Sequence, residues 1–420
     1  MLRIIEASSR ERSGAGELIA RKAVRLAEAE ATVAPMLEAI RERGDEALFE
    51  FARRFDGFEG ESLLVQPSEF SDARTQVSDE FLNAVSAAAE NIREYAHLQL
   101  PREWSIDAAG GRRLGQIVRP LDSMGAYIPA GRYPLPSTLL MTVIPAQVAG
   151  VRNICVACPH PSPEILAAFD ALSIRNGRMF RLGGAQAIGA MAFGTESVPR
   201  VDRIVGPGNI YVAAAKKLLA GEVGIDFVAG PTEIVIIAAE GDPRHLAADM
   251  LAQAEHDTEA SAILLTTSRE LAEKTAAEVN RQLETLPTAP VACEAIERNS
   301  AIILVRSLEE AVEWSNRIAP EHLAIPDETL LRGITNAGSI FIGPNSPEAA
   351  GDYASGPNHV LPTSGAARNR GGLSAADFVK IISIQELSQN ALKHLAPAIT
   401  TLARAEGLEA HARSVEVRLG

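Results

Sequence analysis

Hydrophobic residues recur at spacings of three and four through much of the first hundred residues. The stretch AVRLAEAEATVAPMLEAIRERGDEALFEFARRFDG keeps this spacing throughout, as an amphipathic helix with one buried face does. Gly44 and Gly57 stand where helices of this kind are expected to end. The pattern therefore predicts that residues 1–100 are helical.

From about Gly125 the pattern changes to short β-rich runs that alternate with amphipathic helices. The first series pairs GAYIP with PSTLLMTVIPAQVAG, NICVAC with PEILAAFDALSI, MFRLG with AQAIGAMAFG, and RIVG with IYVAAAKKLLAG. A second series runs through EIVIIA, PRHLAADMLAQAEH, AILLTT, RELAEKTAAEVNRQLETL, AIILV, LEEAVEWSNRI, HLAI and AGSIFIG. Such alternation predicts parallel sheets with helices on both faces. We expect two α/β domains that divide near Thr232, with the first hundred residues packed on the second of them.

The segment from Ser346 to Leu373 is rich in Gly, Pro, Ser and Asn, and it is predicted to be a loop. A loop of this length in a compact enzyme is usually functional or disordered. It carries Asp352, Asn358 and His359, which favours a function. The tail after Ser374 is predicted to be helical.

Composition narrows the class of protein. The chain has 420 residues, of which 46% are hydrophobic and 22% charged, so it is long enough for two or three domains with large cores. A formal net charge of -14 argues against nucleic-acid binding. It does not exclude NAD, because backbone amides can hold a diphosphate. With no apolar run of about 18 residues and no secretory signal, we expect neither a membrane span nor export. Only three cysteines are present, which favours the cytoplasm.

Gln253 and His256 stand three residues apart in a predicted helix, so their side chains can share one face. Together they can point at one metal ion or ligand. Histidine is a common zinc ligand and glutamine an unusual one. A single histidine on a helix is otherwise a structural residue, and this helix alone does not decide between the two interpretations.

Glu321 and His322 lie at the junction of a helix and the strand HLAI. An imidazole next to a carboxylate is suited to acid/base catalysis near neutral pH. The alternative is a charge pair at a helix terminus. The pair is expected at the amino end of its strand, whereas ligands of open α/β sheets bind at carboxyl ends, so topology alone does not indicate a site.

Two further polar segments carry candidate residues. Asp352 and His359 lie in GDYASGPNHVLPT, where an aspartate is either a ligand on a positioned loop or a turn-forming residue. Glu406 and His411 lie in EGLEAH, which by itself is typical of a solvated helix face.

Two glycine-rich turns and one cysteine pair complete the candidate chemistry. Gly206-Pro207-Gly208-Asn209 follows a strand and opens a helix, a context that suits dinucleotide binding. As a fingerprint it is weak, because Tyr211 occupies the last glycine position. Gly183-Gly184-Ala185-Gln186 forms a similar turn.

Cys155 and Cys158 have metal or redox spacing, but their strand is apolar and structural burial is the preferred interpretation.

Taken in order, several stretches resemble the histidinol dehydrogenase family. They are GAYIPAGRYPLPSTLLMTVIPAQVAGV, GGAQAIGAMAFGTE, VDRIVGPGNIYVAAAKK, GIDFVAGPTEI, DMLAQAEHDTEASAILLT, APEHLAI, NAGSIFIG, SPEAAGDYASGPNHVLPTSGAAR and EGLEAHARSV. The resemblance covers nearly the whole chain, and the ordered set is more specific than any single stretch.

The resemblance implies site residues, position by position. The implied zinc ligands are Gln253, His256, Asp352 and His411. The implied NAD contacts are Tyr127, Gln186 and Asn209, and the implied proton acceptors are Glu321 and His322. The implied substrate contacts are Thr232, Gln253, His256, His322, Asp352, His359, Glu406 and His411. Many family members carry Ser at position 232, and Thr also presents a hydroxyl.

The resemblance also implies two incomplete Rossmann-like domains with a helical N-terminal region and a C-terminal arm. The expected units are an N-terminal extension (1–20), a first α/β domain (21–123 plus 233–373), a second α/β domain (124–232) and a dimerisation arm (374–420). The family forms a homodimer in which the arm completes the partner's site. Glu406 and His411 are thus expected to act across the interface.

The implied reaction is the NAD-dependent oxidation of L-histidinol through L-histidinal to L-histidine, the last step of histidine biosynthesis, with one Zn²⁺ per subunit. A related zinc and NAD dehydrogenase for another polar alcohol, such as a sulfonated propanediol, is the alternative; His359, Glu406 and the GPNHVLPTSG loop argue against it. Tyr127, Gln186 and Asn209 argue against a zinc hydrolase. The intact polar positions argue against a binding protein without catalytic activity.

Overall fold

The computed structural model of the chain describes residues 2–7, 12–129, 131, 133–228 and 230–420. Residues 8–11 of the expected N-terminal extension lie outside the described residues. The α-helices are α1 (Arg12–Arg43), α2 (Asp45–Phe55), α3 (Pro67–Arg74), α4 (Asp79–Leu98), α5 (Pro136–Ala149), α6 (Pro163–Ala171), α7 (Gly184–Phe193), α8 (Ile210–Leu219), α9 (Pro243–Ala254), α10 (Arg269–Leu283), α11 (Ala289–Asn299), α12 (Leu308–Ile318), α13 (Glu348–Tyr353), α14 (Gln389–Ala405) and α15 (Glu409–Glu416). The strands are β1 (Arg3–Glu6), β2 (Trp104–Ala108), β3 (Arg112–Pro120), β4 (Ser123–Tyr127), β5 (Asn153–Ala157), β6 (Gly177–Phe180), β7 (Arg203–Val205), β8 (Gly224–Ile225), β9 (Glu233–Ile237), β10 (Ser261–Thr266), β11 (Ala301–Leu304), β12 (His322–Ile325), β13 (Ser339–Ile342) and β14 (Val379–Leu387).

Two parallel sheets form the body of the molecule, and the predicted α/β class is confirmed. One sheet has the order β6-β5-β4-β7-β8, and the other has the order β1-β11-β10-β9-β12-β13. Counted within each βα series, both sheets follow the order 3-2-1-4-5, which is the dinucleotide-binding order without its sixth strand. Every residue of β9 is buried, as expected of a strand whose sheet is covered on both faces.

The N-terminal helices pack on the five-stranded sheet's helices, so the prediction that the first hundred residues pack on the α/β unit that follows Thr232 is wrong. Helix α1 contacts α7 and α8, α2 contacts α7, α3 contacts α6, and α4 contacts α5 and α6. The reason is visible in α7, whose residues are apolar apart from Gln186 and are buried along most of its length. A helix of this kind needs cover on the side away from its sheet. The grouping of 21–123 with 233–373 therefore disagrees with the observed packing, and the other domain boundaries stay predictions.

Two segments predicted to be helical contain strands. Strand β1 extends the edge of the six-stranded sheet by pairing with β11, from Arg3 opposite Ala301 onward. In the tail, β14 pairs antiparallel with β3, which in turn pairs with β2. These pairings join residues far apart in sequence, so local periodicity gives no sign of them. Helices α14 and α15 follow this small sheet as predicted.

The cysteine pair is structural, as the sequence analysis preferred. Cys155 lies in β5 and Cys158 directly follows it, and both thiols are free and buried. Burial raises the pKa of Cys155 to about 11 and that of Cys158 to about 12, so neither presents a thiolate at neutral pH.

The link between the sheets sets the position of the candidate site. Residues 226–232 lead from the carboxyl end of β8 to the amino end of β9. The carboxyl edge of the five-stranded sheet therefore adjoins the amino edge of the six-stranded sheet.

None of the described helices is long and apolar enough to cross a membrane.

Candidate active site

The catalytic candidates gather at the amino edge of the six-stranded sheet. Strands β9 and β12 are parallel neighbours, with His322 paired to Ile234. The residues that precede each strand, Thr232 and Glu321, are therefore adjacent. The Thr232 hydroxyl lies 2.6 Å from Glu321 Oε2, which also accepts from the Glu233 amide at 3.0 Å. The amino-end position expected for the Glu-His pair is thus observed, at the edge opposite to the one that ligands of α/β sheets usually use.

Gln253 connects this pair to a second group of polar side chains. It is fully buried near the end of α9. Its side-chain amide lies 2.6 Å from Thr232 Oγ1 and 3.1 Å from His322 Nδ1. With its nitrogen turned toward Glu348, the amide donates to Glu348 Oε1 at 2.7 Å. Gln253, which is predicted to be a zinc ligand, therefore lies between the Glu321–His322 pair and Glu348.

One imidazole and two carboxylates form a group that can hold a metal ion. One ligand atom from each of His256, Glu348 and Asp352 lies within 4.8 Å of the other two. His256 Nε2 is 3.8 Å from Asp352 Oδ2. Helix α9 ends at Ala254, so His256 lies just beyond it rather than on its face. The prediction that both side chains share one helical face is therefore wrong, because the turn after α9, and not the helix itself, positions His256.

Glu348 was missed by the sequence analysis. The segment predicted as a loop forms the short helix α13, in which Glu348 and Asp352 are four residues apart and share a face. Glu348 is buried, and its Oε1 lies 3.4 Å from His322 Nδ1. The spacing of the two carboxylates in SPEAAGDY was the available signal. Its many small and turn-forming residues concealed the helix.

Burial and mutual proximity shift the ionisation of these groups. Burial raises the pKa of Glu321 to about 7, against opposing effects from His322 and Thr232. Burial likewise raises the pKa of Glu348 to about 8. Burial of the His322 ring acts to lower its pKa, but the carboxylates of Glu348, Glu321 and Asp352 outweigh it and raise the pKa to about 10. Pairs of groups with strongly shifted pKa values are typical of catalytic sites.

His322 Nε2 and His359 face the junction between the two sheets. Among the described residues, no group hydrogen bonds to the buried Nε2 of His322, and its nearest carboxylate oxygen, Asp352 Oδ1, is 3.7 Å away. His359 Nδ1 lies 2.8 Å from the Asp352 carbonyl oxygen, and its Nε2 lies 3.4 Å from Thr138 Oγ1 at the start of α5. An unsatisfied buried nitrogen indicates a missing partner such as a bound substrate.

The two arm residues do not join this cluster within a single chain. Glu406 caps the end of α14 and His411 lies on α15, and both are exposed. The arm folds on itself, since Arg404 donates to Glu409 and to Glu416 at 3.0 and 2.9 Å. Of the predicted substrate and metal residues, only these two remain apart from the others.

The predicted cofactor residues line the carboxyl edge of the five-stranded sheet. Tyr127 ends β4, and its hydroxyl accepts from the Gly184 amide at 3.0 Å. Gln186 lies in the first turn of α7. Asn209 caps α8, accepting from the amides of Tyr211 and Val212 at 3.0 and 3.1 Å. Strands β4 and β7 are the neighbours at which the strand order reverses, which is where dinucleotides bind in such sheets.

A buried ion pair fixes the turn before Asn209. Lys216 Nζ donates to Asp226 Oδ1 at 2.7 Å and to the Gly206 carbonyl at 2.5 Å, and Asp226 Oδ2 accepts from the Gly206 amide at 2.7 Å. Gly206 has a φ of 111°, and a Cβ there would lie 2.2 Å from the Tyr127 carbonyl oxygen. Only glycine fits this approach of the turn to β4.

Comparison with known proteins identifies the family. The sequence model of the histidinol dehydrogenase family matches residues 19–419. The chain belongs to the histidinol dehydrogenase family. It is 48% identical to histidinol dehydrogenase of Halalkalibacterium halodurans, over 91% of this chain and 92% of that one. It is 45% identical to the enzyme of Methanothermobacter thermautotrophicus, over 96% of each chain. The crystal structure of histidinol dehydrogenase from Elizabethkingia anophelis is 37% identical and superimposes with a TM-score of 0.91, covering 100% of this chain and 98% of that one. The resemblance stated from the sequence is confirmed.

Proposed function

We propose that this histidinol dehydrogenase family member oxidises L-histidinol through L-histidinal to L-histidine, with NAD as oxidant and one Zn²⁺ per subunit. The observation that carries the proposal is one continuous cluster. In it, an acid/base pair, Glu321 and His322, contacts a metal-binding group through Gln253 and Glu348. This cluster adjoins the sheet edge where a dinucleotide binds. The free cysteine thiols of the chain and its family membership support a cytoplasmic enzyme.

The donor set suits zinc. Imidazole nitrogen and carboxylate oxygen are common zinc ligands. With its oxygen turned toward His322 and its nitrogen toward Thr232, the opposite of the orientation that donates to Glu348, the Gln253 amide offers a further neutral donor. We assign His256, Asp352 and Gln253 to the ion from the body of the subunit, with Glu348 beside them, and His411 from the arm. Bound zinc would act as a Lewis acid that holds the amino and imidazole nitrogens of the substrate.

The residues around the ion divide the proton transfers. His322 Nε2, which lacks a partner among the described residues, would accept the alcohol proton as the first hydride leaves, because zinc bound at Asp352 and Glu348 would offset the carboxylate charges that raise the pKa of His322. Glu321, whose pKa of about 7 leaves a substantial carboxylate fraction at neutral pH, would take a proton from the water that adds to the aldehyde. Thr232 holds Glu321 in place, and His359 and Glu406 would contact the substrate. NAD, when bound, accepts one hydride in each oxidation.

A second copy of the chain would complete the site. Apolar side chains of the three-stranded sheet and the arm are exposed, including Ile381 at 54%, Leu402 at 64% and Val417 at 74%. Exposed apolar surface of this extent indicates an interface between proteins. A two-fold homodimer whose arms cross would cover it and would bring Glu406 and His411 of each arm to the partner's cluster.

The proposed reaction predicts two NADH for each L-histidinol consumed. Stoichiometry is measured by NADH absorbance with limiting L-histidinol, and L-histidine is measured as the product. Other amino alcohols and a sulfonated propanediol serve as comparison substrates. A higher kcat/KM for one of these compounds, or one NADH per alcohol, would contradict the proposal.

The zinc assignment predicts that His256→Ala protein contains little zinc and has almost no activity, because the ion loses a ligand on which its binding depends. Metal content per subunit is measured after dialysis. His245→Ala is the matched control, since His245 is exposed on α9, the helix that precedes His256, and its substitution should leave the zinc content unchanged. Equal zinc in the two variants would remove His256 from the site.

A further inference from the structure

Asp56 is a nearly buried carboxylate beside the predicted cofactor residues, and the proposed mechanism gives it no role. It is the C-cap residue of α2, and 8% of its surface is exposed. Its Oδ2 accepts from the Gly183 amide at 2.9 Å and from Gln186 Nε2 at 3.0 Å. It therefore occupies the amino terminus of α7, where the diphosphate of a dinucleotide would otherwise find free amides.

The second carboxylate oxygen is available to a ligand. Within the described part of the chain, no donor hydrogen bonds to Asp56 Oδ1. Burial raises the pKa of Asp56, and the hydrogen bonds from Gly183 and Gln186 act in the opposite direction. The Oδ1 oxygen is not fully buried, so it remains accessible to a hydroxyl donor of a ligand. The imidazole of His160 lies close enough to favour the charged form of Asp56, but in the described part of the chain it donates no hydrogen bond to this carboxylate.

The position of Asp56 along the sheet edge indicates which half of a dinucleotide it would meet. The substrate cluster contacts the five-stranded sheet's unit at Thr138, which begins its helix after β4. The turn that carries Gly183 follows β6, two strands from β4 and thus about 10 Å away. With nicotinamide next to the substrate and Gln186 in contact with NAD, as assigned above, the adenosine half would extend toward β6 and Asp56.

We propose that Asp56 selects NAD over NADP by accepting hydrogen bonds from the ribose hydroxyls of the adenosine half. This inference rests on the proposed function, because it uses the NAD site assigned above. A carboxylate accepts from a ribose diol, and in a site of low dielectric constant it repels the 2′-phosphate of NADP. The same task falls to an acidic residue after the second strand in complete dinucleotide-binding domains. Here it comes from a helix outside the sheet.

The experiment compares NAD with NADP for wild-type enzyme and Asp56→Asn. Asparagine retains an acceptor for Gly183 and Gln186 but removes the charge. We expect the ratio of kcat/KM for NAD to that for NADP to fall at least tenfold, while KM for L-histidinol changes less than twofold. Asp202→Asn is the matched control, since Asp202 ties together the opposite, amino edge of the same sheet by accepting from Ser123. Its ratio should equal that of wild type.

Binding of NADH and NADPH without substrate, followed by fluorescence, separates this inference from the proposed reaction. A fall in the NADH preference of Asp56→Asn supports the role of Asp56 even if L-histidinol proves not to be the substrate. An unchanged preference overturns it, and a lower melting temperature with an unchanged preference shows that Asp56 only caps α7. Should Asp56→Asn not fold, Asp56→Ser is measured in the same way, with the same two outcomes.

Discussion

His322→Asn should lower the rate of L-histidinol oxidation by about 10²–10⁴-fold, the usual effect of losing a catalytic proton acceptor. Asparagine preserves a polar group near Gln253 and Glu348 but cannot accept a proton at the position of Nε2. Glu321→Gln should mainly slow the oxidation of L-histidinal, because the second step needs a base for water. The two substrates are assayed separately for each variant, with saturating NAD.

Zinc content and thermal stability distinguish a catalytic effect from a structural one. Both variants should retain zinc, because neither residue is assigned as a ligand. His97→Asn, which changes an exposed histidine at the end of α4, should behave like wild type. The assigned division of labour is wrong if the two variants slow the two oxidations by the same factor.

Mixing inactive His411→Ala subunits with inactive His256→Ala subunits should restore activity, to about half of wild type per mixed dimer. The reason is geometric. In a mixed dimer with crossed arms, one site collects both defects and the other collects neither. The exposed position of His411 in the single chain, apart from the cluster that holds His256, motivates the experiment. Differently tagged subunits allow the mixed dimer to be isolated before its activity is measured.

A second mixture provides the control. His256→Ala and His322→Asn both change the body of the subunit, so each site of their mixed dimer carries one defect and activity should stay low. Recovery in neither mixture, despite demonstrated subunit exchange, would show that each site is built from one chain. Such a result would leave the zinc and acid/base assignments intact and remove only the crossed arms.

Local patterns in the sequence were sufficient for the α/β class and for most elements of the two parallel sheets. Buried parallel strands appear as short apolar runs, and their connecting helices show the 3.6-residue period, so both signals are contained in neighbouring residues. The sequence also specified the family, because its motifs occur in a fixed order over nearly the whole chain. The site residues carried over from that resemblance include Thr232, Gln253 and His322, which the structure brings together.

Tertiary structure alone decided the features that depend on distant contacts. The sequence of β14 was predicted to be part of a helical tail, and only its pairing with β3 makes it a strand. Strand β1 likewise forms by pairing with β11. The entropic cost of joining such distant segments is offset only in the folded protein, so no local signal marks them. Asp56 stands before a glycine like any turn residue, and only the packing of α2 on α7 brings it to Gln186. The raised pKa of Glu348 likewise depends on the fold, because it arises from burial and from the nearby carboxylate of Asp352.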